Sequence, residues 1–102
     1  MLASFSVVPI GVGDELREHI AKVLDFIDKS GMPYRLGAMQ TTVEGEPAEV
    51  MALIMRCHTL LLEAAPRVVT HIAIDDRKGA TGRLEGKVKD VEQVLGRELS
   101  HE

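Results

Sequence analysis

Tryptophan and asparagine are absent from the 102 residues, tyrosine occurs once and phenylalanine twice. With so few aromatic rings the chain cannot surround a cation with an aromatic cage, nor offer the stacking platforms by which a sheet reads single-stranded RNA. Basic residues are also scarce, 12 Lys and Arg against 16 Asp and Glu, for a formal charge of −4. The positive field that phosphate backbones require is missing, which excludes nucleic acid as a partner. A single cysteine, Cys57, rules out an internal disulfide and the two-cysteine loop of heavy-metal carriers. In an apolar helical pattern it reads as a small buried thiol, suited to a reducing compartment. No apolar run approaches the roughly 18 residues that span a bilayer, and residues 1–13 lack the basic start and long apolar stretch of a signal peptide. The expectation is a cytoplasmic protein that engages neither membrane nor nucleic acid.

What is present is a globular balance of 45% hydrophobic and 27% charged residues, in a chain of one-domain length. A single domain over residues 1–102 is expected. Leu2 to Val8 alternate, Ala3, Phe5 and Val7 on one side and Ser4 and Ser6 on the other, the period of a strand. Pro9 to Gly13 break that pattern, and Asp14 and Glu15 supply an acidic helix start. Leu16, Ile20, Val23, Leu24 and Ile27 then recur at helical spacing up to a stop at Gly31. Tyr34 to Met39 and Thr41 to Glu44 are short strand-like runs close enough to pair as a hairpin. Pro47 opens a second helix with two adjacent apolar stripes, Val50-Ile54-Cys57-Leu61 and Met51-Met55-His58-Leu62. Arg67 to Asp76 alternate as the longest strand, residues 77–83 form a polar loop, and Leu84, Val88, Val91 and Leu95 mark a third helix ending near Gly96.

The order β-α-β-β-α-β-α predicts an α+β, ferredoxin-like βαββαβ sandwich, with a four-stranded antiparallel sheet and an extra C-terminal helix. Two long helices then cover one sheet face and leave the other face and the strand edges exposed. A long Val/Ile edge strand left bare invites aggregation, so edge-to-edge pairing into a homodimer, and face-to-face packing of dimers into a tetramer, are expected.

Chemistry is sparse. Gly11-Val12-Gly13 lacks the Walker lysine and the third dinucleotide glycine, and Asp14-Glu15 would repel a phosphate, so it reads as a strand-to-helix turn. His19, His58, His71 and His101 are scattered without metal-ligand spacing, and no metal site is expected. His58, among Met51, Met55 and Leu62, reads as a packed, hydrogen-bonded histidine. His71 and Asp75 share one side of the last strand, but no nucleophile stands near them in sequence. The most distinctive segment is Thr41-Thr42-Val43-Glu44-Gly45-Glu46-Pro47, in which hydroxyls and a carboxylate meet at a strand end.

That segment, with Gly31-Met32-Pro33-Tyr34-Arg35-Leu36 before it and Glu49-Val50-Met51 after it, resembles the small thiamine-binding-protein-like (YkoF-like) family. Ile74-Asp75-Asp76-Arg77 and Leu84-Glu85-Gly86-Lys87-Val88 extend the similarity over nearly the whole chain. The resemblance implies the ferredoxin-like fold, dimers or tetramers, and binding of thiamine or its hydroxymethylpyrimidine moiety without conversion, as carrier, buffer or sensor. It calls for no resident cofactor and no enzymatic activity.

An aminopyrimidine presents a ring nitrogen beside an exocyclic amine, which Glu44 and nearby hydroxyls can satisfy. Strand parity nominates Ser4 and Ser6 on the open face, and His71 and Asp75 from the last strand. Thr41, Thr42 and Glu44 are candidates whose facing the sequence leaves open. Apolar enclosure would come from Tyr34, Met39 and a neighbouring subunit. An acidic chain favours free thiamine, with its cationic thiazolium, over thiamine diphosphate. Two alternatives remain at this point: an oligomeric regulatory or assembly module without a ligand, and a small enzyme with its site between subunits.

Overall fold

The computed structural model describes residues 1–79 and 81–100; position 80 in the polar loop, and His101, lie outside them. Strand β1 spans Leu2–Ile10, a 3-10 turn Gly13–Glu15, helix α1 Leu16–Lys29, strands β2 Tyr34–Leu36 and β3 Thr41–Glu44, helix α2 Pro47–Leu62, strand β4 Arg67–Asp75 and helix α3 Arg83–Leu95. The four strands form one antiparallel sheet in the order β2-β3-β1-β4, the α+β ferredoxin-like arrangement.

Alternation decides the faces. Ala3, Phe5 and Val43 point to one side and are buried with Val23 and Ile27 of α1 and Val50, Leu53, Ile54, Cys57 and Leu61 of α2. Each large apolar side chain so buried contributes roughly 1.5–3 kcal/mol. His58 is packed as its stripe requires, its Nδ1 2.7 Å from Thr70 Oγ1 on the same side of β4. Cys57 is fully buried, and that burial pushes its thiol up to about 11.

β4 ends one residue early, at Asp75, and α3 starts one residue early, at Arg83. Three other boundaries differ from expectation by more than one residue, each for a local reason. β1 does not stop at Val8 but runs through Pro9 to Ile10, because β4 pairs with it over that whole length, to Ile10↔Arg67. β2 ends at Leu36 rather than Met39, because the Gly37 N–H turns back to the Gln40 carbonyl at 2.8 Å. The acidic start of the first helix is a tighter 3-10 turn, and α1 proper begins at Leu16. Gly11, at φ +89°, is needed where the chain leaves β1, since a Cβ there would sit 2.8 Å from Pro66 Cγ.

The third helix was assigned no side by the sequence. It lies against the face that α1 and α2 leave open, at the β2–β3 end. Arg35 of β2, paired with Thr42 on that face, bonds Glu85 of α3 at 3.1 Å.

Candidate functional site

Pairing of β1 with β3 covers only Leu2 to Phe5, whereas pairing with β4 covers all nine of its residues. In an antiparallel ladder each residue sends its N–H and C=O to one side, alternating along the strand. Met1 fixes which: its amino group donates to the Gly45 carbonyl at 2.9 Å, and its carbonyl accepts from the Gly45 N–H at 3.1 Å. Odd-numbered residues of β1 therefore address β3. Ala3 and Phe5 find Val43 and Thr41 there, but Val7 and Pro9 lie past the end of β3. Among the described residues no backbone group pairs with the Val7 N–H or C=O on that side. Pro9, which has no N–H to lose, stands where none is wanted.

The gap is a notch in the sheet beside β1. It is walled by Ile20, Val23 and Leu24 of α1 and by the turn 37–40, and it encloses about 260 Å³. Ser6, Met39 and Thr41 all line it, Met39 at its mouth with 85% of its surface exposed. The volume lies just below the roughly 300–1,000 Å³ of pockets for drug-sized ligands, so a single heteroaromatic ring is the better match.

The other nominated residues lie elsewhere. Register puts Ser4, Thr42, Glu44, His71 and Asp75 with Ser6 on the face that α1 and α2 leave open, called the helix-free face although α3 lies over its β2–β3 end. Ser4 and Thr42 are direct cross-strand neighbours, as are Ser6 and His71, while Leu2 separates Glu44 from Asp75. The Ser4 hydroxyl donates to Gln40 Oε1, tying this face to the notch wall. His71 and Asp75 are four residues apart along the strand, about 13 Å.

Thr41 and Tyr34 belong to the helix-covered side, opposite Phe5 and Val43. Tyr34 is turned from the notch, its hydroxyl donating to Asp28 Oδ1 at 2.5 Å, a bond that holds the phenol above its ordinary pKa.

Glu44, the nominated anchor, is already engaged. Its Oε2 accepts the Arg83 N–H at 2.7 Å and its Oε1 the Leu84 N–H at 3.2 Å, the first turn of α3. With Met1, Asp75, Asp76, Arg77 and Arg83 it lines a second hollow of about 150 Å³ at the opposite end of β1 from the notch. Among the described residues no group of three or more His, Cys, Asp and Glu side chains is placed to hold a metal ion. No helix among them is long and apolar enough to cross a membrane.

Residues 3–92 match the model of the family described as thiamine-binding protein. The chain belongs to that family. Its relatives include a UPF0045 protein of Mycobacterium tuberculosis, 39% identical over 96 residues that cover 93% of this chain and 94% of that protein. A crystal structure of a hypothetical protein from Methanocaldococcus jannaschii superposes with a TM-score of 0.80 at 27% identity, covering 90% of this chain and 95% of that one. Another, from Thermotoga maritima and provisionally assigned to thiamine biosynthesis or salvage, has a TM-score of 0.77 at 33% identity, covering 88% and 96% of the two chains.

In this member of the thiamine-binding protein family, sequence reading missed the Val7 main chain, Gln40 and the α1 wall of the notch. Pro9 was the available signal: a proline inside a strand marks a side of the backbone with no ladder to feed.

Proposed function

We propose that the chain binds thiamine or its hydroxymethylpyrimidine moiety in the notch, without converting it, as a carrier, buffer or sensor. The observation that carries this reading is that the N–H and C=O of Val7, at the wall of an apolar hollow, have no backbone partner among the described residues on the notch side. An aminopyrimidine edge offers an acceptor beside a donor, and a strand residue offers a donor beside an acceptor, so the ring nitrogen takes the N–H and the amine gives to the C=O. The hydroxyls of Ser6 and Thr41 supply further partners, and Met39 an adaptable apolar contact. Membership of the thiamine-binding protein family supports the same ligand class. Glu44 is not the anchor in this reading, because α3 already draws on both of its oxygens.

The mouth of the notch is open, and Met39 there needs a cover that one chain does not supply. A second copy is the proposed cover, which places the guest at a subunit interface. β4 stands at the sheet edge, with its own Ile72 38% and Ile74 52% exposed, and supports dimerisation through paired β4 strands. The same apolar edge favours the second reading, an assembly module with no ligand, which the titration below separates.

Isothermal calorimetry with hydroxymethylpyrimidine, thiamine and thiamine diphosphate is the test. The first two are expected to bind, the diphosphate no better than thiamine. Val7→Pro, which removes the notch-facing donor, should weaken binding at least about tenfold, the worth of one buried hydrogen bond. Glu44→Gln should leave it within about twofold, as expected of a group that makes no ligand contact. Absence of binding, or its loss in Glu44→Gln with Val7→Pro unaffected, would refute the reading. Ligand recovered chemically unchanged after prolonged incubation, by NMR, is expected of a binding protein.

A further inference from the structure

Helix α3 is attached to the sheet unlike the other two. None of its described side chains is fully buried: Leu84 and Val88 are half-buried, while Val91 and Leu95, one and two turns further along the same stripe, are exposed. Its N-cap is Gly82, which has no side chain to cap with. The first two N–H groups are capped instead from about forty positions away in the chain, by the Glu44 carboxylate. Among the described side chains a second tie to the sheet is the Arg35–Glu85 pair at 3.1 Å. Thr42 is half-buried on the same face, two residues from Glu44 and directly across from Arg35, and so lies between the two ties. Glycines in left-handed conformation stand before the helix, Gly79 at φ +77° and Gly82 at φ +66°. The first belongs to the connecting loop and the second to the helix start, so the backbone can turn at both.

We propose that α3 is a lid over the β2–β3 half of the helix-free face, latched by the Glu44 carboxylate and able to open while the rest of the fold stays intact. Opening bares Thr42, so the lid controls how much of this face a second copy can reach. A polar attachment suits such a device. Breaking it exposes little apolar surface, and water replaces the two hydrogen bonds to Glu44 and the ion pair. The inference does not rest on what occupies the notch.

Thiol labelling tests it, because the chain carries its own reference. Cys57 is fully buried with its thiol pushed up to about 11, so it reacts only when the core opens. In Thr42→Cys, the new thiol should label faster than Cys57 and more slowly than a thiol in the urea-unfolded chain. Adding Glu44→Ala should speed labelling at position 42 about tenfold, on the scale of a lost helix cap, with Cys57 changed far less. High salt should speed it to a smaller extent by weakening Arg35–Glu85. The lid is overturned by equal rates at the two thiols, by unfolded-like labelling at position 42 in the parent, or by no response to Glu44→Ala. Should Thr42→Cys not fold, hydrogen exchange of the α3 amides in the natural chain and in Glu44→Ala decides the same question, with selective acceleration in α3 expected and a uniform or absent change overturning it.

Discussion

The two ends of β1 meet opposite fates on the same side of the strand. At the start, Met1, Ala3 and Phe5 spend their backbone groups on Gly45, Val43 and Thr41. The carboxylate that closes that end, Glu44, is committed to α3. At the far end Val7 faces an apolar hollow, and among the described residues no backbone group pairs with its N–H and C=O on that side. Charge is abundant where the hydrogen bonds are already made, and scarce where they remain to be made. The acidic cluster therefore attracts attention in the sequence, while the quieter end has the backbone groups on which the proposed binding draws.

The contrast is broken most forcefully by proline. Ala3→Pro removes an N–H that pairs with Val43, leaves a buried carbonyl without its donor and should cost about 1–3 kcal/mol in urea unfolding. Val7→Pro removes one that faces the notch and should cost no more than about 1 kcal/mol, since the β4 ladder uses the even-numbered residues. Equal losses for the two substitutions would mean that the notch edge is paired after all.

A smaller effect sharpens the other end. Glu44→Gln keeps one carbonyl acceptor for α3 but loses the charge that favours a helix N-terminus, and about 1 kcal/mol of stability should go with it. Hydrogen exchange should place that loss in α3 and not in α2. Smallest of all is Arg35→Ala. An exposed ion pair is worth at most about 1 kcal/mol, so its removal should be visible at low salt and fade at high salt.

Much of the architecture was legible because it rests on local periods. Alternation from Ala3 to Val7 and from Val68 to Ile74 fixed which side chains face the helices, and the register agrees. The same alternation put Ser4, Ser6, His71 and Asp75 together on the helix-free face. His58 was readable as a packed histidine from its neighbours at helical spacing, and Thr70 is its partner. The hairpin was harder. Thr41 and Thr42 are interchangeable by composition, and only pairing with β1 sends the first to the helices and the second to the open face. Pro9 was misread as a strand end, because proline's cost depends on whether a neighbour needs its missing N–H.

The proposed site was less visible than the fold for a related reason. Side-chain direction repeats every two residues and can be read along one strand, but the fate of a backbone group depends on where another strand stops. Nothing within Ser6-Val7-Val8 announces that β3 begins only opposite Phe5. Glu44 poses the same difficulty: it was expected to accept from a ligand, yet the donors it serves in the fold are Arg83 and Leu84, about forty positions away.

By itself the sequence determined the elements, the core-facing sides of β1, α1 and α2 and the family, since period, composition and motif are written along the chain. The tertiary structure alone decided that β1 keeps one open backbone edge, that Ser6, Met39 and Thr41 converge on it, and that α3 lies over the opposite end. Those outcomes depend on strand lengths and on helix docking, and both are settled by contacts between segments far apart in the chain.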